Sequence, residues 1–96
     1  MRTRYNHKYR YKGGQLGQGI KLVTRGTRWG NPYRVEDYGR AEAVRMFRHD
    51  LERMDSEQLR QWLAPLADAR GIYCPCPTGT ECHGDVILEH LNKLHP

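Results

Sequence analysis

Gly71-Ile72-Tyr73-Cys74-Pro75-Cys76-Pro77-Thr78-Gly79-Thr80-Glu81-Cys82-His83-Gly84-Asp85-Val86 is the stretch whose reading decides the fold. A short apolar run enters it, two prolines and a Thr-Gly-Thr break it, and an amphipathic run leaves it. That pattern reads as strand, tight loop and helix N-terminus. All three cysteines and one of the five histidines lie in it. Thiols, an imidazole, the Asp85 carboxylate and the first N–H groups of a helix are therefore expected in one small volume.

Downstream, Val86, Ile87, His90, Leu91 and Leu94 share one helical face, and His90 is read there as a packed or partly exposed residue and not a ligand. Upstream, Ala67-Asp68-Ala69-Arg70-Gly71 connects to a helix whose apolar face is Leu59, Trp62, Leu63 and Leu66. Asp55 or Ser56 is its N-cap, and Pro65 ends or kinks it. A further helix over residues 40–54 has Ala41, Val44, Phe47, Leu51 and Met54 on its buried side. Ile20-Lys21-Leu22-Val23-Thr24 is a branched, glycine-entered strand. It runs into Arg25-Gly26-Thr27-Arg28-Trp29-Gly30-Asn31-Pro32-Tyr33, where Gly30-Asn31-Pro32 signals a turn. Additional strands are expected at residues 9–11 and 33–35.

The order strand, turn, helix, helix, strand, loop, helix predicts a small single α/β domain with a short, mainly parallel sheet packed by three helices. If the two main strands are parallel neighbours, both strand-end loops open at one sheet edge, where α/β folds place ligands. Arg25 to Asn31 would then face Cys74 to Asp85.

The 96 residues allow one domain, divided as a basic aromatic arm and glycine-rich loop over 1–19 and a compact domain over 20–96. The net charge of +5 favours anionic partners. Arg4, Lys8, Tyr9, Arg10, Tyr11 and Lys12 interleave cations with aromatic rings, a pattern suited to nucleic acid, although a solvated tail has the same composition. Gly13-Gly14-Gln15-Leu16-Gly17-Gln18-Gly19 lacks both the Lys-Ser/Thr ending of a P-loop and the spacing of a dinucleotide fingerprint. Three clustered cysteines fit a site in a reducing compartment better than a disulfide framework. With no secretory leader and no apolar stretch of spanning length, the sequence reads as cytoplasmic with no membrane partner.

Taken together, Lys12-Gly13, Arg25, Trp29-Gly30-Asn31-Pro32-Tyr33, Gly39-Arg40, Ala43-Val44, Phe47-Arg48, Cys74-Pro75-Cys76-Pro77 and Cys82-His83-Gly84-Asp85-Val86-Ile87-Leu88 resemble one family. It is the group of small bacterial and phage proteins classed as domain of unknown function 4326. The resemblance covers about residues 8 to 94. It departs at Pro75, where family members usually have Trp, and at Gly14, where they often do. It implies that the two loops belong to one site and assigns no activity.

Four chemistries remain open for that site. Cys74, Cys76, Cys82 and His83 are a three-Cys, one-His set of the kind that holds tetrahedral zinc, although the C-x-C spacing and the adjacent Cys82-His83 pair are unusual. Arg25, Arg28 and Arg40, with Gly84 at the helix N-terminus, suit a nucleotide or other phosphate-bearing ligand, with Trp29 closing or stacking and Asn31 shaping the loop. Cys82 beside His83, with Asp85 as orienter or acid/base, has the composition of a cysteine-nucleophile enzyme. The basic arm suits a non-enzymatic nucleic-acid binder.

Overall fold

The computed structural model describes residues 2–5, 19–24, 26–74 and 82–96. Lys8, Tyr9, Arg10, Tyr11, Lys12, Arg25, Cys76 and the strand expected at residues 9–11 lie outside the described residues.

Three short strands carry the sheet: β1 (Thr3–Tyr5), β2 (Ile20–Leu22) and β3 (Gly71–Tyr73). Their order is β1-β3-β2, and β3 pairs in parallel with both neighbours. Thr3 and Ile20 both stand opposite Gly71, and Tyr5 and Leu22 both stand opposite Tyr73. The ladder runs one residue further on each side: Cys74 N–H donates to Tyr5 O at 3.0 Å, and Val23 N–H donates to Tyr73 O at 3.1 Å. Because every strand runs the same way, Val23 and Cys74 emerge at one edge of the sheet. The parallel α/β architecture expected from the order of elements is the one observed.

Glycine opens the central strand for a steric reason. A Cβ at Gly71 would lie 2.5 Å from Tyr5 Cε2 and 2.8 Å from the Thr3 carbonyl oxygen. Any side chain there pushes β1 off the sheet. β1 itself falls within the segment read from sequence as a basic arm. Arg2 anchors its start by donating to Asn92 Oδ1 at 2.9 Å and to the Ala67 carbonyl.

The helices are α1 (Val35–Tyr38), α2 (Arg40–Glu52), α3 (Ser56–Leu63) and α4 (His83–Leu94), with a 3-10 turn at Ala64–Leu66. Residues 33–35, expected as a strand, instead lead into the single turn of α1. The Asn31 side chain accepts the Tyr33 N–H at 3.0 Å, which removes a donor a strand would need. Glu36 and Asp37 then favour a helix N-terminus. Gly39, at φ +81°, separates α1 from α2. Asp55 caps α3 as expected, accepting Gln58 N–H at 2.8 Å.

Phe47 and Leu51 of α2, Leu59 and Leu63 of α3, Leu66, and Val86, Ile87 and Leu91 of α4 bury against Ile72 of β3 and Val23, which follows β2. Each fully buried aliphatic side chain contributes roughly 1.5–3 kcal/mol. Cys74 and Cys82 belong to this same core cluster. Among the described residues, no helix is long and apolar enough to cross a membrane.

Gly71→Ala is expected to lower unfolding stability by about 1–3 kcal/mol through overpacking. Urea denaturation measures it, and a change within about 0.5 kcal/mol would mean that β1 can shift freely.

Candidate functional site

The edge where the parallel strands end is closed by the start of α4. Cys82 is extended (φ −147°, ψ 139°) and is the N-cap, whereas His83 is already helical. This change of backbone conformation between two adjacent residues lets both side chains face one volume, which resolves the apparent awkwardness of the Cys-His pair. Cys82 Sγ accepts the Gly84 N–H at 3.4 Å, and the Cys82 carbonyl accepts the Asp85 N–H at 3.0 Å. Cys82 thus caps α4 through both its side chain and its backbone.

Cys74 Sγ lies 3.2 Å from Cys82 Sγ and 3.8 Å from His83 Nδ1. His83 Nε2 lies 2.7 Å from the Val23 carbonyl oxygen. A carbonyl oxygen only accepts, so Nε2 carries the proton, and in the neutral ring Nδ1 turns its lone pair toward the sulfurs. Phe47 holds the ring edge-on, with centroids 5.4 Å apart at 86°. The ligand atoms of Cys74, Cys82 and His83 all lie within 4.8 Å of one another, forming a group able to hold a metal ion. Both cysteines are thiols, with 3% and 1% of their surface exposed.

Among the described residues, two clefts reach this cluster. One, of about 430 Å3, is lined by Thr24, Asn31, Tyr33, Val35, Glu36, Arg40 and Val44 together with Cys74, Cys82 and His83. The other, of about 400 Å3, follows the α2–α4 seam past Val44, Arg45, Arg48, Cys82 and Asp85. Val44 and Cys82 border both.

The loop after β2 therefore meets the cysteine stretch, but only some of its residues do. Asn31 and Arg40 line the first cleft. Asn31 is buried and its amide is used structurally: Nδ2 donates to Ala43 O at 3.0 Å while Oδ1 holds Tyr33 N–H. Arg28 and Trp29 turn the other way, to the Trp62 carbonyl, at 2.9 and 3.1 Å. That carbonyl sits in the last turn of α3, where acceptors lack helical partners. Arg28 also stacks 5.2 Å from the centre of the Trp29 ring. These two residues fasten the loop to α3 and do not line either cleft beside the cysteines.

Asp85 accepts from Arg4 Nε at 2.8 Å and borders only the α2–α4 cleft. The imidazole is oriented by the Val23 carbonyl, in the place proposed from sequence for Asp85. At Gly84, a Cβ would stand 3.1 Å from Arg4 Cδ and 3.5 Å from Cys74 Cβ and Cys82 Sγ, so the glycine lets these side chains pack closely on the first turn of α4. Arg25 and Cys76 lie outside the described residues. Sequence reasoning missed Val23, which acts through its backbone, and Tyr33, whose hydroxyl donates to Asp50 Oδ2 at 2.6 Å. That hydrogen bond to Asp50 raises the Tyr33 pKa and keeps the phenol protonated.

A family model described as domain of unknown function (DUF4326) matches residues 6–93, and the chain belongs to that family. No curated protein and no solved structure matches the chain.

Asn31→Ala removes both hydrogen bonds of a buried amide and leaves the Tyr33 N–H without that acceptor. A loss of about 1–3 kcal/mol in unfolding free energy is expected. Equal stability of the variant would show that water replaces the amide.

Proposed function

We propose that this member of the family is a zinc-centred binding domain: Cys74, Cys82 and His83 hold the ion, and the cleft beside it takes a phosphate-bearing ligand, a nucleotide in its simplest form. The observation that carries the reading is the placement of three metal-type donor atoms within 4.8 Å of one another on the wall of a cleft that also holds Arg40.

The donor chemistry fits the ion. Two sulfurs and one imidazole nitrogen suit zinc, with bonds of about 2.3 and 2.0–2.1 Å. A tetrahedral site with those bonds needs sulfur and nitrogen about 3.6 Å apart and sulfurs about 3.8 Å apart. Cys74 Sγ and His83 Nδ1, at 3.8 Å, already match, and the two sulfurs, at 3.2 Å, would open by about half an ångström. The Nε2–H bond to Val23 is the second partner a metal-bound histidine ordinarily has. Cys76, two positions after Cys74, is the fourth donor of the set. Were it to stay off the metal, that position would pass to water or ligand.

For the ligand, Arg40 supplies a guanidinium suited to bidentate phosphate contact. With both cysteines bound as thiolates the zinc site would be close to neutral, so the attraction for phosphate rests on Arg40. Nucleic acid presents the same phosphate chemistry as a polymer, and Lys8, Tyr9, Arg10, Tyr11 and Lys12 would then add their contacts.

Untagged protein purified without chelator is expected to contain one zinc per chain by elemental analysis, and less than half an equivalent would sink the metal reading. In calorimetric titrations with AMP, GMP and inorganic phosphate, Arg40→Ala should weaken whichever binds by roughly tenfold or more. The absence of saturable binding by all three would remove the ligand reading while leaving the metal intact.

A further inference from the structure

We propose that Cys74 and Cys82 are also a peroxide-sensitive dithiol, closing to an intramolecular disulfide that expels the metal. The metal half of this statement rests on the zinc reading above; the dithiol half does not.

The two sulfurs stand at 3.2 Å, between the roughly 3.8 Å that a tetrahedral zinc site requires and the roughly 2.05 Å of a disulfide. The protein scaffold therefore holds the pair closer than the ion would. The sulfurs need to close by only a little over 1 Å to bond. Cys74 follows the central strand and Cys82 opens α4, so the bond would join two elements that already pack together.

Access selects the oxidant. With 3% and 1% exposure, the thiols are closed to a bulky partner such as a protein disulfide. A molecule the size of hydrogen peroxide fits either cleft. Cys82 borders both clefts and Cys74 only one, so peroxide arriving by either route can meet Cys82.

The chemistry balances with the peroxide as sole oxidant. The Cys82 thiolate attacks one peroxide oxygen, the O–O bond breaks, and hydroxide leaves and is protonated to water. Cys82 is then a sulfenic acid. The Cys74 thiolate attacks the Cys82 sulfur, the S–S bond forms, the S–O bond breaks, and a second hydroxide leaves as water. Two thiols and one peroxide become one disulfide and two waters. The sulfurs lose two electrons and the peroxide gains them. Zinc binds thiolate and not disulfide, so of the three clustered donors only His83 remains to it.

The experiment treats the full-length protein, as purified, with stoichiometric hydrogen peroxide. Intact mass, zinc release to a chromogenic chelator and non-reducing peptide mapping are followed together. Cleavage after Glu81 separates Cys82 from Cys74 and Cys76. The expected results are a mass loss of two hydrogens, two peptides held together, and one zinc released per disulfide, all reversed by dithiothreitol with added zinc. The cross-link should persist in Cys76→Ser. Cys74→Ser should instead accumulate a sulfenic acid on Cys82 that dimedone traps. Oxygen addition without a cross-link, or a cross-link lost in Cys76→Ser, overturns the dithiol. Zinc retained after the disulfide forms overturns the expulsion. If the purified protein carries no zinc, the metal reading fails by itself, and the mass loss and cross-link still decide the dithiol.

Discussion

The hydrogen bond from His83 Nε2 to the Val23 carbonyl is the constraint on which the site depends. It joins the first residue of α4 to the residue that follows β2, across the edge where β3 delivers Cys74. It can form only because β2 and β3 run parallel and in register, so that Val23 and Cys74 leave the sheet side by side. An antiparallel pairing would send one of them to the opposite edge. Burial makes the bond consequential. An imidazole nitrogen with 8% of its residue exposed must find a partner or lose of the order of 1–3 kcal/mol, and the carbonyl is the partner provided. The same bond fixes which nitrogen faces the thiols.

The core and the site are one structure. Cys74 and Cys82 pack among Val23, Phe47, Ile72 and Val86 as apolar residues do, while their sulfurs face each other and the imidazole. Removing either thiol therefore alters packing as well as chemistry. A serine at either position also places a hydroxyl in a cluster rich in Leu, Ile and Val.

Much of this was legible from the chain. The cysteine stretch stood out because its reactive residue types are neighbours in sequence. The three long helical faces were readable from their three- and four-residue steps, except that Ala43 and not Ala41 is buried, and the parallel sheet was readable from the order of the elements. What stayed hidden has a physical reason in each case. Thr3–Tyr5 is too short to show a period, and its cation and aromatic ring looked like those of the arm that follows. Val23 contributes a carbonyl, which every residue type possesses. Arg28 and Trp29 were assigned to the correct loop, but their direction depends on an orphan carbonyl in the last turn of α3, which only the packing reveals. Asp85 was read beside His83 from adjacency, yet Arg4, at the other end of the sequence, claims it.

The register that sets Thr3 against Gly71 also has a consequence for synthesis on the ribosome. β1 must wait for β3, which is made much later. Until Gly71 to Cys74 has left the exit tunnel, β1 and β2 have no described strand between them, and Ile20 and Val23 lack the surface that buries them. α2 and α3, whose backbone hydrogen bonds are local, can form while translation continues. The donor set is completed later still, when Cys82 and His83 emerge. Among the described elements, β3 and the start of α4 therefore arrive after the rest of the sheet and close both its packing and the site.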